Sequence, residues 1–130
     1  MIGALIDVHR ALGPGLLESA YEACVCRELG LREMNFERQV EVPLHYKGVR
    51  VDCGYRMDLV VEGRFVIELK AVEALTNVHA AQILTYMKLS GTRVGLLVNF
   101  NAASLRNGLR RYELPSRKPE PPPGSPLLIF

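Results

Sequence analysis

Residues 93–100 form an almost uninterrupted apolar run, RVGLLVNF. Such a run is typical of a β-strand that is covered on both faces. It follows a helical pattern that begins at Thr76 or Asn77 and continues to about Leu89, with Gly91 as the expected stop. A helix between two strands of one sheet makes a crossover and joins parallel strands. The chain is therefore expected to have an α/β fold with a mixed sheet.

A β-hairpin is predicted just before this crossover, in residues 56–70. Residues 62–64 read as its turn, and a three-residue turn sets which positions on the two strands face each other. The predicted pairs are Val61 with Phe65, Asp58 with Glu68, and Arg56 with Lys70. With this register, all four charged side chains are expected on one face of the sheet, since side chains alternate along a strand.

The rest of the chain supplies further elements and a tail. Apolar residues at helical spacing predict a helix over residues 2–12 and a second helix opened by Gly15 and ended by Gly30. Period-two patterning predicts a strand over residues 36–46, and residues 105–114 are expected to form a short edge strand. We expect one domain over residues 1–114. Residues 115–130 should form a proline-rich tail, because six of the twelve residues from 115 to 126 are proline. Its apolar end, residues 127–130, would either pack on the body or remain disordered.

The formal net charge of +2 is too small to identify a nucleic-acid partner. Residues 104–118 nevertheless contain five basic residues against a single Glu: Arg106, Arg110, Arg111, Arg117 and Lys118. This stretch could contact phosphates, or it could be a solvated basic terminus.

Cysteine content and the N-terminal residues bear on the compartment. Cys24, Cys26 and Cys53 are an odd number and are expected to be reduced, buried residues rather than metal ligands. Residues 1–12 contain charged side chains, which argues against a signal peptide or a membrane span. We therefore expect a cytoplasmic protein.

Asp58 and Glu68 are the strongest candidates for chemistry. Two carboxylates on opposed positions repel each other unless a cation lies between them, and Mg²⁺ (or Mn²⁺) is the hard cation that carboxylate oxygens prefer. Lys70 could then orient a water molecule or neutralise developing charge. The alternative is that these charges simply face solvent, but Val60 and Val66 on the same predicted face favour a buried site.

Five separated motifs carry a family resemblance that covers about residues 2–113. Gly15, Glu18 and Tyr21 resemble the motif of the GxxExxY protein family, which is classed in the PD-(D/E)XK nuclease superfamily. The other four motifs are YRMD at 55–58, IELK at 67–70, VHAAQ at 78–82 and LLVNF at 96–100.

The resemblance implies a restriction-endonuclease-like core, with a central mixed sheet flanked by helices. It implies that Asp58, Glu68 and Lys70 are the signature residues and that Glu18 is an additional acid from a helix. The catalytic set would then be Glu18, Asp58, Glu68 and Lys70, with the three acids as metal ligands. Gln82 and Tyr86 resemble the Gln-x-x-x-Tyr element of RecB-like nucleases and are expected to bind substrate.

Two functions of different classes follow. The first is a metal-dependent nuclease that hydrolyses DNA, with RNA as the second choice. The second is a non-catalytic nucleic-acid-binding or assembly module that retains the nuclease fold. Either would have a nucleic-acid partner and no membrane association. A chain this small could act as a homodimer or with a partner protein. Sequence specificity, pathway and substrate structure have no signature in the sequence.

Overall fold

The structure is a computed structural model and describes residues 1–115. Its helices are α1 (Ile2–Leu12), α2 (Glu18–Leu31), α3 (Asn77–Ser90) and α4 (Leu105–Gly108). Its strands are β1 (Phe36–Glu41), β2 (Leu44–Tyr46), β3 (Val49–Val51), β4 (Arg56–Val61), β5 (Phe65–Lys70), β6 (Val94–Asn99) and β7 (Leu109–Glu113). The tail over residues 116–130, including Arg117 and Lys118, lies outside the described residues.

The main sheet has five strands in the order β1-β4-β5-β6-β7. Strands β5 and β6 run parallel, and the other neighbouring pairs run antiparallel. Helix α3 connects β5 to β6, as the crossover requires. The α/β fold with a mixed sheet is therefore confirmed, including the position of the hairpin.

Two hydrophobic cores cover the two faces of this sheet. One joins residues of α1 and α2 to Leu59, Ile67 and Leu96 of the sheet. The other joins α3 to Val60, Val66 and Leu97. Strand β6 contributes to both cores because its successive residues point to opposite faces. This is why its sequence is apolar almost throughout.

Helix α3 matches its predicted limits. Thr76 is the N-cap residue, and Gly91 ends the helix with a left-handed φ of 74°. His79 accepts the backbone N–H of Thr76 on Nδ1 at 3.0 Å. His79 therefore has a structural role at the start of the helix.

Two local predictions were wrong, and a third, the edge strand within residues 105–114, was right only in part. The strand over residues 36–46 is interrupted at Val42 and Pro43, and β2 instead pairs with β3 in a separate two-stranded sheet. Proline cannot donate to a β-ladder, which explains the break. The second helix begins at Glu18 rather than at Gly15. Residues 105–114 form one helical turn before the edge strand β7.

The cysteines differ in their surroundings. Cys26 is buried, Cys24 is half-buried and Cys53 is exposed. The expectation that all three are buried is wrong for Cys53, which lies in the loop after β3. Within residues 1–115, no helix is long and apolar enough to cross a membrane.

Candidate active site

The candidate site lies where the regular pairing of β4 with β5 ends. The pairs from Val61–Phe65 to Leu59–Ile67 are present, as predicted. Beyond the Leu59–Ile67 pair, backbone N–H groups of β4 and β5 donate to the carboxylates of Asp58 and Glu68 instead of to backbone oxygens. The N–H of Asp58 donates to Oε1 of Glu68 at 3.0 Å, and the N–H of Leu69 donates to Oδ2 of Asp58 at 2.8 Å. The two carboxylates therefore meet at the same point of the sheet.

The direction of the side chains reverses at Asp58. Leu59 and Met57 would face the same side in a regular strand, yet Leu59 packs in the core beside α2 and Met57 in the core beside α3. Gln39 lies opposite Asp58 on β1 and has a φ of 49°. This left-handed backbone is costly for a residue with a Cβ. The side-chain amide of Gln39 donates to Oε1 of Glu22 at 2.6 Å and to Oδ1 of Asp58 at 3.4 Å.

This reversal corrects the prediction of four charged side chains on one face. The predicted backbone pairs of Asp58 with Glu68 and of Arg56 with Lys70 are both absent. The Arg56 guanidinium donates instead to the backbone oxygen of Gln39 at 3.4 Å. Asp58 opens toward α2, whereas Lys70 contacts α3. The site therefore straddles the point where the strands separate rather than lying on one flat face.

An open cleft of about 290 Å³ lies between α2 and this point of the sheet. It is lined by Glu18, Ser19, Glu22, Gln39, Asp58 and Leu69. Glu18 is the first residue of α2, and its Oε1 accepts the N–H of Ala71 at 3.3 Å, just after the end of β5. The structure therefore brings Glu18 and Asp58 to one cleft, with Glu68 directly beside Asp58.

Burial is the largest influence on the pKa of both central carboxylates. Burial raises the pKa of Glu68 to about 8, and the negative charge of Asp58 adds to this effect. Burial also raises the pKa of Asp58 above its ordinary value, opposed by the hydrogen bond from Leu69. Glu68 is only 3% exposed. A buried carboxyl group next to a half-buried one favours either a retained proton or a bound cation.

Lys70 is linked to α3 by a chain of hydrogen bonds. Its Nζ donates to Oε1 of Gln82 at 3.1 Å, and Nε2 of Gln82 donates to the hydroxyl of Tyr86 at 3.2 Å. Burial raises the pKa of Tyr86, and the charge of Glu68 adds to this shift. The residues predicted to bind substrate thus lie next to Lys70 and Glu68.

The motif formed by Gly15, Glu18 and Tyr21 has a structural explanation. The Tyr21 hydroxyl donates to the backbone oxygen of Gly13 at 2.5 Å and accepts the N–H of Leu16 at 3.2 Å. Its ring stacks on Phe100, with 4.5 Å between centroids. Gly15 has a φ of 105°, a conformation suited to glycine. Tyr21 therefore holds the loop that presents Glu18 at the start of α2.

The donor set suits a hard cation, although it is not pre-arranged as a cage. Within residues 1–115, no three His, Cys, Asp or Glu side chains converge in a geometry ready to hold a metal ion. Glu18, Asp58 and Glu68 each accept a main-chain N–H instead. Their carboxylate oxygens are nevertheless the ligands that Mg²⁺ or Mn²⁺ prefers, and a cation would relieve the repulsion between Asp58 and Glu68.

Sequence reasoning missed Glu22 and Gln39 as members of the cleft. Glu22 follows Glu18 by four residues, so the helical spacing alone places both on one face of α2. Gln39 had no such signal, because its left-handed backbone depends on contacts with distant residues. Asn99 has a structural role: its side chain accepts the N–H of Val72 and donates to the backbone oxygen of Val72.

The comparison with known proteins agrees with the fold. The model of the PD-(D/E)XK nuclease superfamily matches residues 1–112. No curated protein and no solved structure matches the chain. The matched range includes every residue of the candidate site and all but the last residue of the five-stranded sheet. Because the match covers most of the 130 residues, the chain belongs to the PD-(D/E)XK nuclease superfamily.

Proposed function

We propose that the protein is a divalent-metal-dependent nuclease of the GxxExxY type, acting on DNA or, as second choice, RNA. The observation that carries this proposal is the half-buried carboxylate of Asp58 next to the buried carboxylate of Glu68, beside a cleft that also contains Glu18. Two adjacent carboxylates whose pKa values are both raised by burial form a costly arrangement for stability alone. Perturbed groups of this kind cluster at functional sites.

Glu18, Asp58 and Glu68 would hold the cation. To do so they would exchange main-chain N–H partners for the metal, and Glu68 would lose the proton that its raised pKa retains at neutral pH. When bound, a divalent cation supplies Lewis-acid polarisation of the phosphate and lowers the pKa of a water molecule. Mg²⁺ and Mn²⁺ both fit an all-oxygen donor set.

Lys70 would act on the water or on the charge that develops at the phosphate. The hydrogen bond to Gln82 holds its ammonium group without neutralising it, since an amide oxygen carries no net charge. Gln82 and Tyr86 have donors and acceptors suited to a phosphate oxygen or a base edge. They would bind the substrate on the α3 side of the reaction centre.

The test is cleavage of labelled single-stranded, double-stranded and branched DNA and of RNA, with Mg²⁺, Mn²⁺ or EDTA. The wild type should cleave with metal and not with EDTA. Lys70→Ala should reduce cleavage by about 100-fold or more, the usual contribution of such a group, while metal still raises the melting temperature. Lys47→Ala is the matched control, because the Lys47 ammonium lies over Tyr46 on the separate two-stranded sheet. Wild-type activity of Lys70→Ala would contradict the assigned role.

A non-catalytic nucleic-acid-binding or assembly module is the second candidate. The observation that favours it is that the three carboxylates are already satisfied by main-chain N–H groups. Such a module would bind nucleic acid without cleaving it in any metal, and Lys70→Ala would leave its partner assay unchanged. The same set of assays therefore separates the two candidates.

A further inference from the structure

A second cleft, of about 500 Å³, lies on the α1 side of the molecule. Arg10, in the last turn of α1, and Arg106, in α4, both line it. The candidate active site uses neither residue. The cleft is therefore a separate, positively charged feature of the surface.

The two walls of this cleft are held together by buried contacts. Nε2 of His9 is 2.9 Å from the backbone oxygen of Ala102, and His9 is only 8% exposed. Leu105, next to Arg106, is buried in the core that α1 and α2 share. The two arginines therefore extend from backbone positions that are fixed relative to each other.

Neither arginine has an acidic or hydrogen-bond partner among residues 1–115. Other arginines of the chain differ in this respect. Arg110 donates to the backbone oxygens of Asn107 and Leu109, and Arg111 lies 3.8 Å from Glu113. Among the three arginines between Ser104 and Pro115, only Arg106 therefore has a guanidinium group without a partner in residues 1–115, so this group can bind a ligand.

The arginine cleft adjoins the acidic cleft along the chain. Pro14 lines the former and Glu18 lines the latter. Pro14 and Glu18 are four positions apart, so their Cα atoms are separated by at most about 14 Å. This upper limit equals the rise of about four nucleotides along one strand of a duplex. The carboxylates of the acidic cleft repel phosphates, so a bound strand requires positive charge close by.

We propose that Arg10 and Arg106 form a phosphate clamp, which binds the sugar-phosphate backbone a few nucleotides from the reaction centre. The inference rests on the proposed nucleic-acid substrate and adds a binding site to it. Guanidinium groups donate to phosphate oxygens in a fork geometry. The clamp contacts no base, so it strengthens binding without selecting sequence.

The test measures binding of a labelled duplex in EDTA, without cleavage, over a range of salt concentrations. The logarithm of the association constant falls linearly with the logarithm of the salt concentration, and each phosphate contact contributes about 0.9 to the steepness of this fall. The double variant Arg10→Gln with Arg106→Gln should therefore make the slope less steep by up to about 2. Its affinity at low salt should fall at least tenfold. The control is Arg110→Gln with Arg111→Gln, which removes the same charge but should leave the slope almost unchanged. Urea unfolding of both variants verifies that they fold.

The outcomes separate this inference from the proposed function. If the two double variants behave alike, the clamp is wrong, whether or not the wild type cleaves. If the wild type cleaves and the clamp variant binds like the wild type, only the clamp is wrong. If the wild type neither binds nor cleaves nucleic acid at low salt, both proposals are wrong.

Discussion

Glu68 combines burial with the like charge of Asp58 at hydrogen-bonding distance, so its protonation state is linked to folding and, on the proposed function, to metal binding. In the unfolded chain its pKa returns to the ordinary value of a glutamate, and in the folded protein it is about 8. The native state therefore retains a proton that the unfolded state has lost between these two values. By linkage, this group favours folding at low pH, and its contribution falls as the pH rises toward 8.

Glu68→Gln should remove this pH dependence in the metal-free protein. Gln keeps an oxygen for the N–H of Asp58 but cannot ionise. In EDTA, the variant should match the wild type near pH 4.5 and exceed it at pH 9 by a few kcal/mol, since one pKa unit corresponds to about 1.4 kcal/mol. Urea unfolding at pH 5, 7 and 9 measures this difference.

The exposed residue Glu37 on β1 supplies the control, and Glu37→Gln should leave the pH profile unchanged. The same experiment with Mg²⁺ should stabilise the wild type more at pH 8.5 than at pH 6, because a cation must displace the proton of Glu68. Glu68→Gln should lose most of this gain. Equal stabilisation of wild type and Glu68→Gln would show that Glu68 is not a ligand.

At the scale of single elements, the loop before α2 determines where Glu18 lies. This loop has no secondary structure of its own, and the Tyr21 hydroxyl replaces the missing backbone bonds at Gly13 and Leu16. The buried ring of Tyr21 in turn rests on Phe100, at the end of β6. The start of α2 is therefore attached to the centre of the sheet.

Tyr21→Phe should keep the stacked ring and remove the two hydrogen bonds. We expect the free energy of unfolding to fall by about 1 to 2 kcal/mol, because part-buried backbone groups lose their partner. Metal affinity should fall as well, since Glu18 is no longer held at the cleft. Tyr46→Phe is the control, because Tyr46 of β2 is 63% exposed. It should change the free energy of unfolding by no more than about 0.5 kcal/mol. Unchanged stability of Tyr21→Phe would contradict the assigned role.

At the scale of the whole molecule, the packing of α3 against the sheet places Gln82 beside Lys70. Gly95 of β6 leaves the space in which this helix packs. A Cβ at that position would lie 2.6 Å from Sδ of Met87 and 3.0 Å from Cδ1 of Ile83. The absence of a side chain at Gly95 thus allows α3 to pack close to the sheet and to the candidate active site.

Gly95→Ala should therefore move α3 or strain its side chains. We expect a loss of about 1 to 3 kcal/mol in the free energy of unfolding, together with reduced cleavage because Gln82 moves away from Lys70. Gly30→Ala is the control, since a Cβ on Gly30 of α2 meets no atom within 4 Å. It should stabilise the helix by up to about 1 kcal/mol. Denaturant unfolding and the cleavage assay on both variants measure the effects.

The sequence by itself determined the crossover, the hairpin turn and the caps of α3. These features depend on turn chemistry, helix caps and hydrophobic periodicity, which act between residues close in the chain. The turn fixed the register as far as the Leu59–Ile67 pair, since each pair along a hairpin follows from the one before it. The predicted pair of Asp58 with Glu68 is not formed in the backbone ladder.

Only the tertiary structure decided how the site is arranged around that pair. The left-handed backbone of Gln39, the reversal of direction at Asp58 and the position of Glu18 depend on contacts between segments far apart in the chain. Glu22 of α2 contacts Gln39 of β1, and Tyr21 of α2 contacts Phe100, which directly follows β6. Packing energies of this kind can exceed the local preference for a regular strand or an earlier helix start, so no local pattern in the sequence records them.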